Sequence, residues 1–252
     1  MGDITISVIV FACVVGGALV GIFLRGIVPV SHLEDASKDV VKLTTGLLVT
    51  LSALVLGLLI ASAKGSFDAQ TADVAAISAK VVLLDRVLAN YGPETKEARE
   101  LLRDVVARNL DRLWPQEGSR TFEPAMPAAG SGAALYQRIQ ALSPKDNTQR
   151  ALQAQAVSMS LSLGEIRWLM YAQGANSISK PMLVILVFWL STIFLSFGLM
   201  APTNTTVISA ILACGVSVSG AVLLILELYS PYGGLIAISS APLRNALAQL
   251  GQ

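Results

Sequence analysis

The residues of this sequence best suited to chemistry are one carboxylate and a row of hydroxyls within the apolar stretch 205–229. The carboxylate is Glu227, and a charged group in such a stretch is costly unless it pairs, takes up a proton or meets water. Small and hydroxyl residues precede it at intervals of three or four, which places them on one face of a helix. That face consists of Thr206, Ser209, Ala213, Ser217 and Gly220. The chemistry that this face offers is electrostatic, because its hydroxyl oxygens and the negative charge of Glu227 could interact with an ion that moves along it.

Two interpretations of this face remain open. Small residues let helices approach closely and hydroxyls bond across the contact, or the face lines an aqueous path for ions. A second stretch carries a similar face, and a first one carries a Gly-x-x-x-Gly pair. The pore-lining candidates are Thr206, Ser209, Ser217, Gly220, Glu227, Thr50 and Gly57, and the helix-packing candidates are Gly17, Gly21 and Gly46.

Glu227 also has a structural interpretation, because Tyr229 and Tyr232 resemble an aromatic belt at the membrane surface. In that case its carboxylate reaches the headgroup region and anchors the helix. Lys64 is a possible ion-pair partner, although its side chain can equally extend to the interface by itself.

Motifs for other kinds of chemistry are missing from the sequence. It contains no H-E-x-x-H, C-x-x-C or G-x-x-x-x-G-K pattern, so we predict no enzyme activity, cofactor or metal. The net charge of +1 argues against nucleic-acid binding. Cys13 and Cys214 are predicted to be buried thiols. His32, the one histidine, is expected to be a solvated surface residue or, alternatively, a pH sensor.

Four apolar stretches must position these residues: 4–24, 44–63, 181–201 and 205–229. Each has about the 20 residues that a helix needs to cross a bilayer. A hydrophobic content of 54% and a mean hydropathy of +0.64 agree with an integral membrane protein. The first stretch has no Lys or Arg before it, so we expect a retained helix rather than a cleaved signal peptide.

The segment between the second and third spans predicts a helical bundle. Apolar residues continue at helical spacing beyond Lys64, so one helix should run from about 44 to 90 and end at Gly92-Pro93. A second helix ends near Trp114, residues 115–133 are irregular, and a short helix covers about 133–142. Ser143-Pro144 is typical of the start of a helix that continues into the third span. A final amphipathic helix after Ser240 has two possible positions, on the membrane or against the bundle, and we expect the bundle because Arg244 is its only charge.

The predicted fold is therefore all-α, with four transmembrane helices and a soluble helical bundle inserted between helices 2 and 3. The domains are 1–63 (spans 1 and 2), 64–180 (soluble bundle), 181–230 (spans 3 and 4) and 231–252 (turn and amphipathic helix).

The positive charges near the span ends predict the orientation in the membrane. Five lie on the bundle side and three on the other side, which places the bundle in the cytoplasm. They are Lys64, Lys80, Arg167, Lys180 and Arg244 against Arg25, Lys38 and Lys42.

Three segments in order resemble a bacterial family of unknown function described as bestrophin-like. They are 54–68, 83–95 and the tail 227–242, where an acidic residue, a Pro-aromatic step and glycines recur. The resemblance covers essentially the whole chain. It implies a four-span subunit of a bacterial inner membrane that assembles with copies of itself around a pore.

We therefore expect a homo-oligomeric ion channel in contact with lipid and inorganic ions, with spans 2 and 4 nearest the axis. The negative charge of Glu227 predicts that this channel has a weak preference for cations. The alternative is a non-conducting membrane scaffold or sensor whose helical bundle binds a partner protein.

Overall fold

The computed structural model describes residues 2–27, 35–114, 129–174, 180–202 and 204–251. Those residues form eight α-helices and no strand, which confirms the all-α prediction for the described part of the chain. The helices are α1 (Asp3–Arg25), α2 (Asp35–Tyr91), α3 (Lys96–Leu113), α4 (Ala129–Gln140), α5 (Asn147–Gly174), α6 (Lys180–Met200), α7 (Thr205–Leu228) and α8 (Ala241–Gln249).

The chain divides into two compact units. One, the membrane unit, comprises Met1–Gly65 and Ile178–Tyr229, and the other, the helical unit, comprises Ser66–Ser177 and Ser230–Gln252. The boundary falls inside α2, a single helix of 57 residues, roughly 85 Å long. It begins about nine residues earlier than the sequence predicted.

Close contact between α1 and α6 organises the membrane unit. A Cβ atom at Gly17 would lie 2.6 Å from the carbonyl oxygen of Ser191, and one at Gly21 would collide with the backbone of Leu195. Gly198 of α6 is held equally close to Ala18 of α1. Because contacts advance together along both helices, α1 and α6 run parallel. The glycines are required here because any side chain would push the two backbones apart.

Helix α7 packs on another side of α1 and runs antiparallel to it. Ser7 near the start of α1 donates a hydrogen bond from Oγ to the carbonyl of Ser219 at 2.7 Å. Farther along α1, Val15 and Phe11 approach Gly215, where a Cβ would lie 3.0 Å and 3.4 Å from their side chains. At the opposite end, Arg25 donates to the carbonyl of Ala201 and so satisfies an oxygen just beyond α6.

Large apolar side chains cover the outside of the membrane unit. Phe23, Leu47 and Phe188 are each more than half exposed. Such a surface suits lipid rather than water. Helices α1, α2, α6 and α7 are each long and apolar enough to cross a bilayer, which confirms the four predicted spans. The chain is thus a membrane protein.

The helical unit has a core of its own. Side chains from α2, α3, α4, α5 and α8 form one apolar cluster, with Leu84, Leu102 and Ile139 almost completely buried. Leu243 and Leu250 join the cluster, so the final amphipathic helix docks on the bundle as the sequence predicted.

The turn between α2 and α3 follows the predicted chemistry. Gly92 adopts a φ of 134°, which side-chain-bearing residues rarely reach, and Pro93 opens a short 3-10 turn, Pro93–Thr95. Thr95 Oγ1 lies 2.6 Å from the carbonyl of Leu88 and 2.8 Å from that of Gly92, which ties the turn to the end of α2.

Several local predictions need correction. Helix α4 starts at Ala129 instead of 133. Helix α5 starts at Asn147, where Asp146 Oδ1 accepts the backbone N–H of Gln149 at 2.7 Å; Ser143-Pro144 therefore does not begin the helix. Cys13 and Cys214 are exposed, so the prediction of buried thiols is wrong for this subunit. His32 and most of the segment predicted to be irregular lie outside the described residues.

Candidate functional site

The predicted pore face of α7 lies opposite the face that packs within the subunit. Gly215, Ser219 and Val222 are buried, two of them against α1. The other side of the helix carries Thr206, Ser209, Ser217 and Gly220, all of which are exposed. A Cβ at Gly220 would meet no described atom within 4 Å. The small and hydroxyl residues of this face therefore do not hold the subunit together.

The hydroxyls on this face use their protons inside their own helix. Ser209 Oγ donates to the carbonyl of Thr206 at 3.0 Å, and Ser217 Oγ donates to the carbonyl of Ala213 at 2.9 Å. A hydroxyl that has donated its proton still has oxygen lone pairs to offer. The exposed face consequently presents hydrogen-bond acceptors, which suit a cation or the hydrogen atoms of its hydration water.

Glu227 belongs to the same side of α7, seven residues or two helical turns after Gly220. Unlike the residues before it, Glu227 is buried, with 4% of its surface exposed. It stands in the last turn of α7, where the helix dipole places partial negative charge. The carboxylate is therefore covered by other residues of the subunit, at the negative end of the helix dipole.

The end of α7 is joined to α2. The hydroxyl of Tyr229, the residue after α7, lies 3.2 Å from Ser62 Oγ of α2. The predicted second and fourth spans thus meet on the side of the membrane unit that contains Glu227. This pairing of Ser62 with Tyr229 was not foreseen, because a hydroxyl pair separated by 167 residues leaves no local pattern in the sequence.

The candidates on α2 also face outward. Thr50 is exposed and donates from Oγ1 to the carbonyl of Gly46 at 3.0 Å. Gly57 and Gly46 are exposed as well, and a Cβ at either position would meet no described atom within 4 Å. The structure therefore brings Gly17 and Gly21 to a helix contact within the subunit and does not bring Gly46 to one.

Comparison with known families decides the affiliation of this four-span chain. The family model of the Bestrophin-like domain matches residues 12–243, nearly the whole length. The chain belongs to the Bestrophin-like family. The resemblance carried by segments 54–68, 83–95 and 227–242 is thereby confirmed. No curated protein and no solved structure matches the chain.

The membrane unit of this Bestrophin-like protein also buries polar residues that sequence reasoning missed. Thr45 and Ser52 of α2 are 7% and 3% exposed, and they share the buried side of the helix with Leu59 and Ala63. The seven-residue spacing of Thr45, Ser52 and Leu59 is the sequence signal for this buried side of α2. The longer row of small residues from Gly46 to Ala61 lies on a different side of the helix and is exposed. Ser52 Oγ has no hydrogen-bond partner among the described residues.

Proposed function

We propose that this chain is the subunit of a homo-oligomeric, ion-conducting pore in a bacterial inner membrane. The observation that carries the proposal is the outward hydroxyl face of α7, which is unused in subunit packing and leads to the buried Glu227. If this row faced lipid, the lone pairs of its hydroxyl oxygens would lose their hydration, even though Ser209 and Ser217 donate their protons within the helix. Around the axis of an oligomer the same row would meet water.

A weak preference for cations follows from the charges on this path. The hydroxyl oxygens present lone pairs, α7 contains no Lys, Arg or His, and each subunit would add one Glu227. A ring of carboxylates raises the local concentration of cations and repels anions. Because Glu227 also stands at the negative end of the helix dipole, the two contributions have the same sign.

In this proposal α2 and α7 are the helices nearest the axis, with Thr50 and Gly57 contributing to the wall. The helical unit is the soluble domain inserted between the second and third spans, and it forms a cytoplasmic vestibule. The partners are further copies of the chain, the bilayer and inorganic ions; no nucleic acid and no catalytic step is involved.

A second candidate function is a non-conducting scaffold or sensor whose helical unit binds a partner protein. One observation favours it: Leu161, Trp168 and Leu169 of α5 are 56%, 54% and 48% exposed. Three large apolar side chains close together on one helix are typical of a protein-binding surface.

Reversal potentials separate the two functions. Purified protein is placed in planar bilayers under a KCl gradient, beside Glu227→Gln and a control, Glu100→Gln, which removes an exposed carboxylate from α3. We expect a cation-selective current whose selectivity falls in Glu227→Gln and is unchanged in Glu100→Gln. Anion selectivity would refute the acidic ring, and silence of the parent protein across voltage, pH and calcium would favour the scaffold.

A bulky residue on the α7 face tests the path independently of charge. Ser217→Phe should lower the single-channel conductance, because Ser217 is exposed on that face. Val184→Phe is the matched control, since Val184 is 66% exposed on α6, away from the proposed path. Equal conductances in the two variants would exclude α7 from the pore wall.

A further inference from the structure

A cavity of 510 Å³ lies within the helical unit. Helices α2, α3, α4, α5 and α8 all contribute to its wall, together with Tyr232. Its volume is within the range of about 300–1,000 Å³ that is usual for small-molecule sites. The cavity belongs to one compact unit and is partly open to solvent, since Leu161 and Trp168 of its wall are 56% and 54% exposed.

Most of the wall is apolar. Aliphatic side chains such as Val74, Ile77 and Leu102 cover one part of it, and Trp114 and Trp168 add aromatic surface. Burying a flexible hydrocarbon chain against such a wall is favourable by a free energy of about 25 cal/mol for each Å² of apolar surface removed from water.

Two arginines interrupt this apolar wall. Arg112 from α3 and Arg167 from α5 both line the cavity, and they are close enough to affect one another. Partial burial, and then the charge of Arg112, lower the pKa of Arg167, although a guanidinium remains protonated at any physiological pH. Arg167 also approaches α4, because a Cβ atom placed on Gly132 would lie 3.5 Å from its Nη1.

Neither arginine has a counter-charge in the part of the chain that the structure describes: no hydrogen bond or ion pair to Arg112 or Arg167 occurs there. Glu165 also lines the cavity, but it is exposed and pairs with neither. Two neighbouring cations repel each other, and Arg167, which is half-buried, also loses hydration, whereas Arg112 is exposed. An anion bound between them would relieve both costs.

We propose that this cavity binds an amphipathic anion: one acidic headgroup held by Arg112 and Arg167, on a hydrocarbon body that fills the apolar part. Guanidinium groups bind carboxylate and phosphate in the same bidentate manner, so a fatty acid and an alkyl phosphate share the required chemistry. The proposal does not rest on ion conduction, and its test measures no current.

The test is calorimetric titration of the full-length protein in nanodiscs of zwitterionic lipid, with empty nanodiscs subtracted. The probes are dodecanoate, dodecyl phosphate and uncharged 1-dodecanol. We expect saturable binding of at least one anionic probe at one site per chain, and binding at least about tenfold weaker for dodecanol, since hydrogen bonds to charged groups are lost. The tighter of the two anions identifies the headgroup.

Matched variants locate the site. Arg167→Gln should weaken binding of the anion at least about tenfold, whereas Arg103→Gln, an exposed arginine on α3 that does not line the cavity, should leave it unchanged. Gly164 lines the cavity, and a Cβ there would meet no described atom within 4 Å. Gly164→Phe should therefore fill the cavity and abolish binding, and Gly164→Ala should preserve it without loss of folding.

Three results would overturn the proposal. The first is equal affinity for dodecanol and the anions, which would indicate partition into any apolar surface. The second is unchanged anion binding in both Arg167→Gln and Gly164→Phe, which would place the ligand elsewhere. The third is no heat beyond that of empty nanodiscs for either anion.

Discussion

Replacing Asp85 by asparagine tests how the helical unit is held together. Asp85 lies in α2, 20 residues beyond the boundary of the membrane unit, and is 4% exposed. Arg99 of α3 donates from Nε to Oδ1 at 2.7 Å and from Nη2 to Oδ2 at 2.8 Å. The backbone N–H of Gly251 donates to Oδ2 at 3.2 Å. One carboxylate thus connects α2, α3 and the end of the chain.

The loss of stability in Asp85→Asn depends on how deeply the ion pair is buried and on the Arg99 charge that remains after the substitution. Removing one partner of a buried ion pair costs about 3–5 kcal/mol, because the other charge stays buried without compensation. The Arg99 side chain is 22% exposed, so water partly solvates it. We therefore expect Asp85→Asn to cost about 3 kcal/mol, which for a chain of this size lowers the thermal midpoint by about 6–12 °C.

The pH dependence gives a second readout of the same pair. Burial raises the pKa of Asp85, but the hydrogen bonds from Arg99 and Gly251 and the charge of Arg99 lower it, and the pKa ends below its ordinary value of 3.8. A lowered pKa in the folded state means that the stabilisation is complete above about pH 4 and is lost as the pH falls through the folded-state pKa. Asp85→Asn should therefore flatten the acid limb of the stability curve.

Thermal unfolding of the full chain in neutral detergent, followed by circular dichroism, measures both effects. Glu97→Gln is the matched control: it breaks the ion pair of Glu97 with Arg138, whose side chains are 58% and 46% exposed. An exposed pair contributes at most about 1 kcal/mol. A midpoint for Asp85→Asn within about 2 °C of the parent, or a loss in Glu97→Gln as large as in Asp85→Asn, would refute the reasoning.

Two further predictions concern contacts made by small side chains. Gly21→Val should destabilise the membrane unit by about 1–3 kcal/mol or more, because the new side chain meets the backbone of Leu195. Gly16→Val, at a position with no described atom within 4 Å of a Cβ, should change little, and equal thermal midpoints would contradict us. Thr95→Val should cost about 1–3 kcal/mol by leaving the buried carbonyl of Leu88 without its donor. Thr71→Val, which removes an exposed hydroxyl on α2, should be close to neutral in the same chemical denaturation.

Local chemistry was sufficient to predict the spans and the turn after α2. A run of about 20 apolar residues has only one stable conformation in a bilayer, since every backbone polar group must be satisfied internally. Gly92-Pro93 ends a helix for an equally local reason: proline lacks the N–H and glycine reaches positive φ. Features of this kind need no knowledge of a distant partner.

The start of α5 shows where local chemistry becomes ambiguous. Ser143-Pro144 and Asp146 are both good helix starts, and sequence alone favoured the first. In the structure, Gln153 of α5 donates from Nε2 to the carbonyls of Ile139 and Leu142 at 3.0 Å and 2.8 Å, at the end of α4. These bonds hold α5 against the end of α4, and the connection between the two helices, residues 141–146, is non-helical. Such a contact between elements is not visible in the residues at the boundary alone.

The rows of small residues lead to a more general argument. Three spans carry them, and their compositions are nearly interchangeable, yet among the glycines of these rows only Gly17 and Gly21 of α1 meet another helix in the described part of the subunit. On α2 and α7 the corresponding rows face outward. A small residue permits close approach but does not attract a particular partner, so its spacing alone cannot distinguish packing from a pore wall. The hydroxyls of Ser209 and Ser217 on α7 support a narrower distinction. They contribute nothing to a face that meets only lipid, whereas a face that meets water or another subunit can form hydrogen bonds with them.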